Sequence, residues 1–226
     1  MTYANLDTLT RDVIACRRCD RLVAWREQVA NEKRAAYADE VYWGRPVPGF
    51  GDPQAAVLVV GLAPAAHGAN RTGRMFTGDR SGDWLFGSLH RTGFANQATS
   101  TSRDDGLELT GAYVTAPVRC APPANQPTTE ERDACAPYLD AEMALLPWRV
   151  AVALGGFAWD AVLRHRGWQG RKPRFGHGAE AALPDGRTLI GSYHVSQQNT
   201  FTGRLTEAML DDVFLEASRI ATEPGG

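Results

Sequence analysis

Four apolar runs constrain this chain more than any other feature. Residues 56–62, 112–118, 149–154 and 187–193 are dense in Val, Ala, Leu, Ile and aromatic side chains and read as buried strands. Helical patterns follow them. Thr128 and Glu131 have the spacing of a capping box, which predicts a helix running to about Leu146. Gly155 and Gly156 open a short helix ending near Arg164, and a further helix is predicted over 82–91, with a polar loop at 96–106. Beyond Gly203, Leu205, Met209, Val213 and Ile220 mark one face of a closing amphipathic helix. Strands that alternate with helices predict a mostly parallel, four-stranded sheet covered on both faces. A chain of 226 residues, 43% hydrophobic, fills one such α/β core, so a single domain over 1–226 is expected.

No apolar run approaches the ~20 residues of a membrane span, and the first residues lack the basic-then-apolar layout of a signal peptide. A soluble, cytoplasmic monomer without membrane contact is the expectation. The formal charge of −2 neither demands nor excludes a polyanion partner. Lysine occurs only at Lys33 and Lys172, arginine supplying the other basic groups. A guanidinium forks onto phosphate oxygens, although codon bias would produce the same composition.

In parallel sheets, ligands sit beyond the carboxyl ends of the strands. The unusual sequences fall there: GLAPAAHGANRTGRMFTGD from Gly61, CAPPANQPT from Cys120, GGF from Gly155 and HVSQQNTFTG from His194. The last places five hydrogen-bonding side chains, Ser196 to Thr200, directly behind a strand-end histidine. Loops of this kind carry function more often than packing does.

The four cysteines fall into two pairs, Cys16-x2-Cys19 and Cys120-x14-Cys135. A disulfide has little use in the expected compartment, and the tight first pair suits a tetrahedral metal or a metal cluster. Zinc and a [4Fe–4S] cluster share this ligand set, so spacing does not choose between them. Either would staple the N-terminal helix to the segment after the second strand.

Taken together, the first loop, CAPPANQPT, the cysteine set and HVSQQNTFTG resemble the uracil-DNA glycosylase superfamily, and within it the iron–sulfur-containing family five. The likeness runs from about Cys16 to the final helix. It implies a three-layer α/β/α fold, a [4Fe–4S] cluster on Cys16, Cys19, Cys120 and Cys135, and removal of uracil and other deaminated bases from double- and single-stranded DNA. Three departures stand out. The best-known branch reads GQDPYH in the first loop, its Asp positioning water and its Tyr excluding a 5-methyl group; here Ala63 and Ala65 occupy those places. The late loop often reads His-Pro-Ser but is His194-Val195-Ser196 here, and losing the proline frees a backbone φ angle.

Cleaving an N-glycosidic bond leaves an anionic base and an oxocarbenium-like sugar, so a donor at a base carbonyl and a placed water are required. A donor of that kind is typically worth ~3 kcal/mol. His194 is the candidate donor, against the bland alternative of a core histidine. Asn125 offers both donor and acceptor for a base edge, although turn formation would also explain it. Asp79 is placed by the resemblance to orient water, and would equally cap the helix behind it. Phe76 matches the position that stacks on the extruded base, within the pocket that also includes Gly61 and Ala63. Arg71, Arg74 and Arg204 are candidate phosphate contacts, with Ser196 and Gln198 reaching DNA and Gln198 filling the vacated stack. The basic stretch Arg164, Arg166, Arg171, Lys172 and Arg174, interleaved with Trp168 and Phe175, suits a nucleic-acid surface or a solvated loop. A non-catalytic binder of uracil-containing DNA and an enzyme acting on free nucleosides remain the alternative readings.

Overall fold

The computed structural model describes residues 2–223. Its centre is a six-stranded sheet in the order β1-β3-β2-β4-β6-β5. The four expected strands form its middle: β2 (Val57–Val60), β3 (Ala112–Thr115), β4 (Val150–Leu154) and β6 (Thr188–Ser192), all pairing in parallel. Every residue of β2, β3 and β4 is buried, which is why these strands read as unbroken apolar runs. The four-stranded expectation is short by two. The edges are β1 (Phe50–Gly51) and β5 (Glu180–Ala182), both antiparallel to their neighbours. Two and three residues are too few to show an alternating pattern, so nothing in the sequence marked them.

Two layers cover the sheet. On one face α4 (Arg80–Arg91) and α8 (Glu207–Thr222) bury Leu85, Phe86 and Leu89 with Leu210, Val213 and Phe214 against Val57, Val59 and Val152. On the other, α5 (Thr129–Leu145) and α6 (Gly156–His165) pack Leu139, Met143, Trp159 and Val162 against Leu58, Val60 and Ala151. The alternation of odd and even strand residues between these two clusters is the two-residue period of a pleated strand. The three-layer α/β/α arrangement is therefore as expected.

The start of α5 follows from its sequence. Thr128 Oγ1 accepts from the Glu131 amide at 3.2 Å while Glu131 Oε2 accepts from the Thr128 amide at 2.8 Å, a complete capping box. Glu131 also receives Arg21 through two nitrogens, at 2.7 and 2.8 Å. That pair ties α2 (Asp20–Glu32) to α5, while α1 (Leu6–Ala15) packs Leu9 and Val13 onto Tyr138 of the same helix. Among the described residues no helix is long and apolar enough to cross a membrane.

Candidate active site

Three strand-end segments converge on one cavity of about 520 Å3, within the range of small-molecule sites. After β2, the chain places Leu62, Ala63 and Ala65 on its wall; the β3 exit supplies Asn125; the β6 exit supplies His194, Ser196, Gln197 and Gln198. Met75, Phe76 and Asp79 complete it from the segment between the short helix α3 (Ala69–Thr72) and α4.

Glycines set the distances. The Phe76 ring lies over Gly61, where an added Cβ would come within 2.7 Å of the ring. A Cβ on Gly68 would stand 2.0 Å from Asp79 Oδ2, so glycine is required there for the carboxylate to occupy its place. The backbone is strained at the same spots. Phe76, Ala124 and Asn125 hold φ of 52°, 53° and 56°, a left-handed conformation that costs an L-residue of order 1–3 kcal/mol and concentrates at functional sites.

His194 sits with its ring centroid 6.3 Å from that of Phe76, at a tilt of 38°. Its carbonyl accepts from Asn199 Nδ2 at 2.8 Å, and Thr200 Oγ1 donates to the Ser196 carbonyl at 3.2 Å. Two of the five polar residues in this loop therefore hold its backbone. The stretch forms a short helix, α7 (Gln197–Phe201), where the sequence suggested a loop. Among the described residues the imidazole nitrogens have no protein partner, and burial lowers the histidine to about 4, leaving it neutral at pH 7.

Asp79 caps a helix and faces the cavity at once. Its Oδ1 accepts from the Gly82 amide at 3.0 Å, capping α4, and the side chain lines the cavity. Burial raises its carboxyl above the ordinary value, with the amides of Gly82 and Ser81 pulling the other way.

Two expected DNA contacts are corrected. Arg71 is buried, ion-paired to Glu40, donating to the His67 and Gly78 carbonyls and stacked on Tyr37. Arg74 is buried too, paired with Asp105 at 2.8 Å and bonded to Thr77 and Ser100. Both guanidiniums brace loops from inside, because acids distant in sequence neutralise them. Arg204 is exposed and lies over the Tyr193 ring, 4.5 Å from its centroid, two residues ahead of the α8 cap. In the basic stretch, Arg164, Arg166 and Lys172 meet Asp133, Asp185 and Asp160, while Trp168 and Phe175 pack against the core cluster beneath α5 and α6. Arg80 and Ser81, in the first turn of α4, line the cavity without having been singled out. Their position directly behind Asp79, at a helix N-terminus, was the available signal.

All four cysteines line a second, small cavity, together with Arg119. Burial pushes Cys120 up to about 11 and Cys135 to about 12, so free thiolates are disfavoured there without a cation. Among the described residues, two buried guanidinium atoms beside them, Arg26 Nε and Arg119 Nε, have no partner. The residues fit an anionic, thiolate-bound group. Among the described residues no cluster of three or more His, Cys, Asp or Glu is arranged to hold a single metal ion.

A doubly covered parallel sheet whose strand ends enclose an imidazole, a carboxylate, an amide and an aromatic ring is the layout of an α/β enzyme. Residues 48–217 match the family described as the Uracil DNA glycosylase superfamily, and the chain belongs to it. It is 57% identical over 220 residues to the type-5 uracil-DNA glycosylase of Mycobacterium leprae, covering 96% of both chains. Its identity to the type-5 uracil-DNA glycosylase of Thermus thermophilus is 55% over 219 residues, or 96% of this chain and 97% of the other. A type-4 uracil-DNA glycosylase of Pyrobaculum aerophilum is 34% identical over 127 residues, 56% of this chain and 57% of that one.

Proposed function

We propose that this chain is a monofunctional DNA glycosylase that hydrolyses the N-glycosidic bond of uracil, and of other deaminated bases such as hypoxanthine, in base excision repair. The observation that carries the reading is the single cavity shared by Phe76, Asp79, Asn125 and His194. The extruded base stacks on Phe76, which offsets ~1–3 kcal/mol of the cost of unstacking it. The Asn125 amide reads its Watson–Crick edge. His194, neutral at working pH, donates an N–H to the base carbonyl oxygen as charge develops there. Asp79, anchored by the α4 amides, orients water toward the sugar. Among the described residues no lysine lines the cavity, which supports water over a lysine amine as the nucleophile. Ala63 and Ala65 leave room where a bulkier pair would narrow the wall, which supports acceptance of purine lesions and 5-substituted pyrimidines.

The four cysteines, Cys16, Cys19, Cys120 and Cys135, would hold a [4Fe–4S] cluster, stapling α1 and α2 to the segments before and within α5. The buried guanidiniums beside them support an anionic four-thiolate group, a charge that a zinc site on the same ligands shares. The partner is uracil-containing DNA, contacted through Ser196, Gln198 and Arg204 at the rim.

The test counts abasic sites released per enzyme from duplexes carrying uracil, hypoxanthine or thymine opposite guanine. His194→Ala should slow single-turnover cleavage by 10²–10³ while DNA affinity holds. Binding without turnover would favour a non-catalytic uracil-DNA binder. Cleavage of free nucleosides, with no loss of substrate affinity as salt rises, would favour a nucleosidase.

A further inference from the structure

Among the described residues, one buried guanidinium beside the cysteines has no acid to itself. Arg26 of α2 is 2% exposed. Its Nη1 donates to Cys120 Sγ at 3.1 Å and its Nη2 to the Cys16 carbonyl at 3.3 Å, while Nε is buried with no partner. The nearest carboxylate, Glu27, stands 3.8 Å away, is 41% exposed, and is taken by both terminal nitrogens of Arg17. On its other side Arg26 borders a cleft with Arg11, Arg17 and Arg45, which adds positive charge and removes none. The second guanidinium at the cysteines behaves differently: Arg119 is matched by Glu142, which accepts from both its terminal nitrogens, one at 2.9 Å. A buried charge without a close acid of its own costs several kcal/mol, and the group Arg26 already reaches is the Cys120 sulfur, so negative charge on that sulfur would offset the cost.

We propose that Arg26 is a positioning residue of the cluster site, its guanidinium supplying the counter-charge and an N–H···S bond to Cys120 once four thiolates and an iron–sulfur core are assembled. This rests on the cluster reading above. Four thiolates leave such a core net anionic, and charge and hydrogen bonds at the sulfurs set both its retention and its reduction potential. Removing the guanidinium should destabilise the more negative, reduced form most.

The experiment compares the full-length protein with Arg26→Met and Arg26→Lys, using Arg219→Met, on the exposed face of α8, as a surface control. Iron and acid-labile sulfide are counted, bleaching of the visible band by a chelator in air is timed, and the midpoint potential is measured by dithionite titration. Arg26→Met should lose the cluster at least tenfold faster and titrate at a more negative potential. Arg26→Lys, which keeps charge but lacks the fork, should fall between, and Arg219→Met should match the parent. If Arg26→Met fails to fold, the lysine variant decides through its potential alone. Folded variants with the parent's iron content, bleaching rate and potential would overturn the role of Arg26. A parent protein without iron and sulfide would instead overturn the cluster reading beneath it.

Discussion

His194 and Asp79 are tuned by the same force in opposite protonation directions. Burial disfavours charge, which pushes the imidazole down to about 4 and the carboxyl up. For His194 the folded value lies below the unfolded one of ~6.5. Between those limits the unfolded chain binds the extra proton, so the contribution is complete above pH 6.5 and lost as pH falls toward 4, by at most about 3 kcal/mol. A His194→Gln variant should therefore show a flatter dependence of Tm on pH in that window, measured by thermal denaturation. Asp79→Asn separates the two uses of that residue, since asparagine caps a helix as well as aspartate does. Tm should hold within about 2 °C while single-turnover cleavage falls at least tenfold; a changed Tm with intact cleavage would leave Asp79 as a cap alone. The pairings of Arg71 with Glu40 and Arg74 with Asp105 were hidden for a simple reason. A sequence shows that an arginine flanks a motif, and does not show which acid 31 residues away will claim it.

Secondary structure was legible where local physics and burial agreed. The central strands and the α5 capping box are set by unbroken apolar runs and by reciprocal side-chain bonds within four residues. Thr128→Ala should cost about 1 kcal/mol in chemical denaturation, plus any loosening of the Arg21–Glu131 bridge that shares the box. The failures have the complementary cause. Strands β1 and β5 exist because long strands offer them an edge to pair with, a tertiary effect with no local trace. Helix α7 was concealed by its polar composition, since Gln, Asn and Thr suit a loop equally well.

At the scale of the whole molecule, the parallel strands deliver segments from three distant parts of the chain to one rim, and the sheet beneath is buried on both faces. The left-handed residues Phe76, Ala124 and Asn125 sit in loops rooted in that sheet. The receptor is thus cast before any lesion arrives, and deformation on contact falls to the nucleic acid. Cleavage should then follow how readily the target leaves its helix: fastest for uracil in a single strand or opposite guanine, slowest in a well-stacked pair with adenine. Single-turnover rates on the three substrates, equal within error, would contradict a rigid mould.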